Sequence, residues 1–473
     1  MTPRTVFTVM LLAFIVLPTG CTTAPKIKDP RAELQDVNAV PQNHLAAMRM
    51  LDAEPNDRAY LEQLHGLIWR PGYTPQVRMA ALERLEERDL PGLKVTIRQR
   101  FPNLVAWEWL KQLAGVIADR GWIDLTPALV SSWARPTVFT QDETERPEYQ
   151  ALARLHGDER VGDMVFDLFV ESRSVAQHGL RTRCWALLHR LGQRERLLDL
   201  VANAEIHPED AMMMDLRAGV VDLGILPRNR EEILWLRQLR MPARETFWAQ
   251  ATEAVQGMDT RRRASLELRD LPIVVSAAMH EPDLLRASEA ELYARLDSQL
   301  RGRKHHDARS NYNNMRNTAE RLYAHRESLT WGDLAAMLLA LRAFQTPEMV
   351  SHLFDYAERD RLDKTTEYGG ILSLDDSGRF ILQEFPPRQR RNDNTFMAPQ
   401  EMFDAGYTGL FHFHYHAQKH RNVEYASPGF GDFRNANETL TNNLVFTFID
   451  QNTLNMDFYR HGGVVVDLGE IKK

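Results

Sequence analysis

The sequence predicts a multidomain chain: an N-terminal all-α region of solenoid-like helical repeats, followed by a C-terminal α+β domain with a mostly antiparallel sheet. Three observations carry this. From about 43 to 345 apolar residues recur at the helical period. At about 365 that period shortens from 3.6 to 2, the mark of half-buried strands. The length, 473 residues, leaves room for two or three domains.

The elements follow in order. Arg4 supplies a positive charge, and residues 6–17 are almost wholly apolar. Small residues and Cys21 come next. An apolar run of about 12 residues is short for a bilayer span and suits the core of a signal peptide. The segment resembles a bacterial lipoprotein signal, with Pro18 where leucine is usual. That resemblance implies a signal peptide over 1–20 and acylation, palmitate included, of Cys21. It also implies a lipid anchor in the cell envelope. Thr22 stands where an inner-membrane retention signal has aspartate, so the periplasmic face of the outer membrane is the expected site. Residues 21–42 then read as the lipidated cysteine and a flexible tether.

Residues 43–345 read as helical. Leu110, Leu113 and Ile117 fall on one helix face, with Gly121 as the stop. Cys184, Leu187, Leu188 and Leu191 repeat the pattern before Gly192. The segments starting at Arg78 and Arg183 look alike, each a helix, a turn and a second helix. This is similar to degenerate HEAT-type repeats, and an irregular helical domain is the alternative. Trp107, Trp109, Trp122 and the run Met212-Met213-Met214 read as core. Cys184, on an apolar face, reads as inert. The stretch 301–317 is polar, and its His305-His306 pair reads as solvated rather than metal-binding.

Residues 346–473 read as the α+β domain. Strands are expected at 371–374 and 379–385, joined by the turn Asp375-Asp-Ser-Gly378. A polar loop covers 386–400. Further strands are expected at 409–415, 444–450, 454–460 and 463–468, with a helix near 432–443.

The chemistry concentrates in Gly409-Leu-Phe-His412-Phe-His414-Tyr-His416. Alternation in a strand puts Phe411, Phe413 and Tyr415 on one face and the three histidines on the other. The aromatic face should pack on a helix. The imidazole face offers nitrogen ligands that suit zinc, and a carboxylate can complete the set with one position open. Asp432 lies downstream in Ala426-Ser-Pro-Gly-Phe-Gly-Asp432, and Glu367 opens the first strand as Glu367-Tyr-Gly-Gly.

Together these pieces resemble the JAMM (MPN-type) metallo-isopeptidase domain. That family has a glutamate before a glycine-containing strand, then a strand ending in His-x-His, then a loop with Ser-x-x-Asp. The resemblance spans about 345–473 and leaves the helical region out. It implies zinc held by His412, His414 and Asp432, with His416 as an alternative ligand. It makes Glu367 the general base and Ser427 the stabiliser of the oxyanion. The sequence departs from the family at three points. Seventeen residues separate His414 from Asp432, more than is usual; no proline follows the histidines; and Gly429 stands at the serine position.

Composition narrows the function further. The 58 basic and 65 acidic side chains give a net charge of −7, which argues against nucleic acid as a partner. Two functions are therefore expected. One is a zinc-dependent peptidase or isopeptidase of the envelope, with a protein or peptide as substrate. The other is a non-catalytic scaffold or sensor that uses the same domain and the helices to bind protein.

Overall fold

The computed structural model describes residues 27–53, 57–135, 137, 142–307 and 320–473. Cys21 and the segment around it lie outside the described residues, as does most of the polar stretch after Asp307. No helix among the described residues is long and apolar enough to cross a membrane. The expected order is observed: a helical N-terminal region, then a six-stranded, mostly antiparallel sheet domain.

The chain forms two compact units. The first runs to Trp133 and takes in Thr144–Asp158. Its described elements are all helices, and the helix starts are chemically marked. Thr74 and Asp89 accept hydrogen bonds from Val77 N and Gly92 N, before helices Pro75–Arg88 and Leu90–Arg100. Residues 30–35, read as tether, form a short helix instead. Asp29 caps it, Pro30 sits in its first turn, and Leu34 is buried. The expected stripe Leu110, Leu113, Ile117 is buried in helix Trp107–Asp119. Gly121, at φ +61°, ends that helix with paired bonds from Gly121 N to Ala118 O and from Trp122 N to Ile117 O.

The second unit comprises Ala134–Glu143 and Glu159–Lys473. Helices from Val161 onward and the sheet are one body. Gly192 closes helix His178–Arg190 just as Gly121 closes its own, and Cys184 is fully buried on the inner face of that helix. Burial pushes its thiol up to about 12. Helix Trp331–Ala343 is buried at every position but Arg342, the pattern of a helix apolar all round.

The strands are β1 (Gly369–Leu374), β2 (Phe380–Phe385), β3 (Phe411–His416), β4 (Asn443–Asp450), β5 (Thr453–Arg460) and β6 (Val464–Lys472). Their order in the sheet is β2-β1-β3-β4-β5-β6. Every pair is antiparallel except β3 and β4. A parallel pair needs a crossover, and helix Phe430–Thr439 lies in that connection. In the β1–β2 turn Asp375 accepts from Ser377 N and Arg379 N, and Gly378 takes φ +80°. Helix Gln400–Gly406, too short to leave a periodic signal, follows the polar loop.

As expected, the aromatic face of β3 packs on a helix, Pro347–Leu362. The Tyr356 ring meets Phe413 and Tyr415 edge-on, with centroids 6.2 and 5.5 Å away. Tyr415 also donates its hydroxyl to Leu353 O. A buried charge network ties the other helices to the sheet. Arg269, 1% exposed, donates to Asp333 Oδ1 at 2.8 Å and to Asn442 Oδ1 at 2.6 Å. Arg460 of β5 donates to both oxygens of Asp333 at 2.9 Å.

Candidate metal centre

The opposite face of β3 carries the histidines. Strand alternation aims His414 and His416 to the same side, and their Nε2 atoms lie 3.3 Å apart. Asp432, in the first turn of helix Phe430–Thr439, reaches them from the crossover. Its Oδ1 is 3.4 Å from His414 Nε2, and its Oδ2 is 3.8 Å from His416 Nε2. The described residues contain one group of three or more histidine, cysteine or acidic side chains that can close on a metal ion, and it is His414, His416 and Asp432.

The donor set fits zinc. Ligands about 2.0–2.1 Å from a tetrahedral ion stand about 3.3–3.4 Å from each other. Two imidazole nitrogens and one carboxylate also leave the fourth position open, as in sites that activate water. Each ligand is oriented from behind. His416 Nδ1 lies 2.7 Å from the carbonyl of Tyr425, which fixes the proton on Nδ1 and the lone pair on Nε2. Asp432 Oδ2 accepts from Gly429 N at 2.7 Å, so the carboxylate caps its own helix. Tyr459 stands edge-on to His414, with centroids 6.3 Å apart.

The electrostatics favour positive charge at this point. Burial works to raise the Asp432 carboxyl, but His414 and His416 hold it well below its ordinary value. Asp432 and Glu367 raise His414 against its burial, while burial pushes His416 down to about 4. Glu367, 7% exposed, sits just before β1, close enough to feel both His414 and Asp432. Burial pushes its carboxyl up to about 7, with Asp432 adding to the effect. Gln418 Nε2 donates to Glu367 Oε1 at 3.2 Å and to Asp393 O at 2.8 Å.

Two expected site residues stand elsewhere. His412 is not in the ligand group. It lies two residues along the strand, roughly 6–7 Å from His414. Its ring turns toward Phe403, at a centroid distance of 6.2 Å, and toward Gly406. The two histidines that converge with Asp432 are therefore His414 and His416, the latter expected only as the alternative ligand. The resemblance implied His412 as a ligand, but Gly409, just before it, makes room for Ile371 rather than for a ligand. Ser427 lies near Glu320, and its hydroxyl lowers that carboxyl against the burial that pushes it up to about 7. His305 and His306 are not free either. They face acids of β6, His306 Nε2 at 2.9 Å from Glu470 and His305 Nδ1 at 3.3 Å from Asp467.

Sequence reading missed Gln418 and the Tyr425 carbonyl. Gln418 stands four residues past His414, whose strand partner is Gly369, at the end of the same histidine-rich stretch. No pattern of side chains marks a carbonyl. Comparison with protein-family models, with curated proteins and with solved structures gives no match.

Proposed function

We propose that the second unit is a zinc-dependent hydrolase of amide bonds in peptides or proteins. The observation that carries this reading is the convergence of His414, His416 and Asp432 beside the buried Glu367. The order of parts is that of the JAMM domain the sequence resembles: glutamate at the mouth of a glycine-containing strand, His-x-His strand, aspartate on the following helix. Read on His414-Tyr415-His416, the His-x-His ends β3, where the family places it.

Zinc at these three residues would acidify a water and polarise the scissile carbonyl. The chain supplies the rest. Glu367 takes the proton from the attacking water, because a carboxylate shielded from solvent and facing the ligands is placed to do so. It then passes that proton to the leaving amine nitrogen, and Gln418 fixes the carboxylate for both transfers. The polypeptide that bears the scissile bond reaches the site across the strand face that holds the ligands.

A second reading has its own observation. Ser427, the oxyanion residue implied by the resemblance, lies close enough to the buried Glu320 to lower its carboxyl. A domain that binds zinc and partner proteins without turnover accommodates that contact. We also propose that the N-terminal segment exports the chain, and that lipid on Cys21 anchors it at the periplasmic face of the outer membrane.

The test is metal content and turnover on residues 22–473. About one zinc per chain is expected, absent in His414→Ala and retained in Glu367→Gln. Peptide hydrolysis should be present in the parent and reduced about 10²–10⁴-fold in Glu367→Gln. Zinc without hydrolysis selects the scaffold reading. No zinc after reconstitution rejects the hydrolase reading and leaves a protein-binding scaffold.

A further inference from the structure

His412 is a histidine that the metal centre does not use. It is 8% exposed, and among the described residues neither ring nitrogen meets a hydrogen-bond partner. Neither nitrogen is sealed from solvent, so both are open to a partner from outside the chain. His412 lines a cleft of about 680 Å³ between helices Arg230–Leu239, Gln400–Gly406 and Phe430–Thr439. That volume lies in the range of roughly 300–1,000 Å³ found for ligand sites.

The walls of the cleft are preformed. Leu234, Trp235, Phe403 and Tyr407 give it an apolar side, and Asn435 and Thr441 a polar one. Trp235 Nε1 donates to Tyr407 O at 2.8 Å, which fastens one wall to the other. Gly406 matters for the imidazole itself. A Cβ there would stand 2.4 Å from His412 Nε2, so only glycine lets the ring tip occupy this place.

Position along β3 relates the cleft to the reacting centre. His412 and His414 share a strand face and differ by one pleat repeat, roughly 6–7 Å. An extended peptide advances about 3.3–3.4 Å per residue. A chain with its scissile carbonyl at the ligands therefore places a residue about two positions away beside His412. A neutral imidazole has one N–H and one lone pair, which match the carbonyl and amide of a peptide group.

We infer that His412 is a substrate-binding residue, which hydrogen-bonds the backbone of an extended peptide about two residues from the scissile bond. The large apolar side chain next to that contact enters the cleft between Trp235, Phe403 and Tyr407. This inference rests on the hydrolase reading and assigns its substrate class: unfolded or extended polypeptide with an aromatic or long aliphatic residue flanking the cut.

The experiment uses zinc-loaded 22–473 and a positional library of internally quenched peptides. The best peptide is then labelled, and its affinity for Glu367→Gln is measured by anisotropy, with and without a second change at His412. His412→Ala should keep its zinc, raise KM about 3- to 10-fold and leave kcat nearly unchanged, as loss of one uniform binding contact does. Anisotropy should show the same loss of affinity. His412→Gln should recover part of it. Gly406→Ala, which drives a methyl into the ring, should imitate His412→Ala while the histidine is still present.

Unchanged KM and unchanged affinity in His412→Ala would overturn the inference. Loss of zinc in His412→Ala would overturn it too, by making His412 a ligand. If His412→Ala does not fold, His412→Gln and Gly406→Ala decide by the same readouts. A zinc-loaded parent that cleaves no peptide sinks the hydrolase reading. In that case the inference stands or falls on whether library peptides bind the parent and lose affinity in the His412 variants.

Discussion

Gln418 holds the carboxylate of Glu367 by one hydrogen bond and is itself held by the carbonyl of Asp393. A base that must meet a water at a fixed angle depends on such a brace. Gln418→Ala is therefore expected to keep zinc and to lower kcat by roughly 10-fold, the worth of about one hydrogen bond. Metal analysis and steady-state kinetics on the same sample check this; a loss of zinc would show that Gln418 supports the ligands instead. His416→Ala should weaken zinc by more than the ~10–100-fold that loss of an outer partner costs, because it removes a ligand outright. Most of this site was legible in the residues. Alternation places three histidines on one face, and the fold brings Asp432 to two of them with the buried Glu367 nearby. The choice between His412 and His416 was not legible. It turns on a carbonyl, Tyr425, and on a glycine, Gly406, that approach the strand only in the folded chain.

At the scale of elements, the strands were readable because each has alternation and a chemically marked turn. Asp375 and Gly378 announce the first hairpin, and the sheet forms there within a residue or two of expectation. Helix Gln400–Gly406 has too few residues for a period to emerge. What alternation did not reveal is how polar the covered face of the far strands is. Asp457 of β5 and Asp467 of β6 are register partners, both buried, with Glu320 against them. Burial raises the Asp457 carboxyl well above its usual range, and its two acidic neighbours raise it further. The folded state thus holds the proton more tightly than the unfolded one. Its contribution is complete below the unfolded value near 4 and fades as pH rises through the folded value; Glu320, at about 7, fades by the same rule. Asp457→Asn keeps the shape and removes a charge. It is expected to raise Tm by a few degrees at pH 8 and to leave Tm unchanged at pH 4, by calorimetry at both. A Tm lowered equally at both would show that the carboxyl is bonded rather than protonated.

For the whole molecule, the decisive feature is that helices from Val161 onward and the sheet form one compact unit. Periodicity distinguishes helix from strand, but it is blind to which helices share a core with the strands. Asp333 shows why the division matters. It lies on a helix before the sheet and neutralises Arg269 and Arg460 together, with no exposure. Removing one partner from a buried pair costs about 3–5 kcal/mol, since the remaining charge has no water to turn to. Asp333→Ala should cost that much, read from urea unfolding. A fragment beginning at 346 lacks both Asp333 and Trp331, and is expected to show poor dispersion in its amide spectrum. One beginning at 159 should show native dispersion. One further consequence belongs to Asp432. The carboxylate that closes the metal group also accepts from Gly429 N at the start of helix Phe430–Thr439. Occupancy of the centre and fraying of that helix are then two faces of one equilibrium. Amide exchange in the first turn of the helix should slow when zinc is added and quicken when it is chelated, which makes the crossover a built-in reporter of its own cargo.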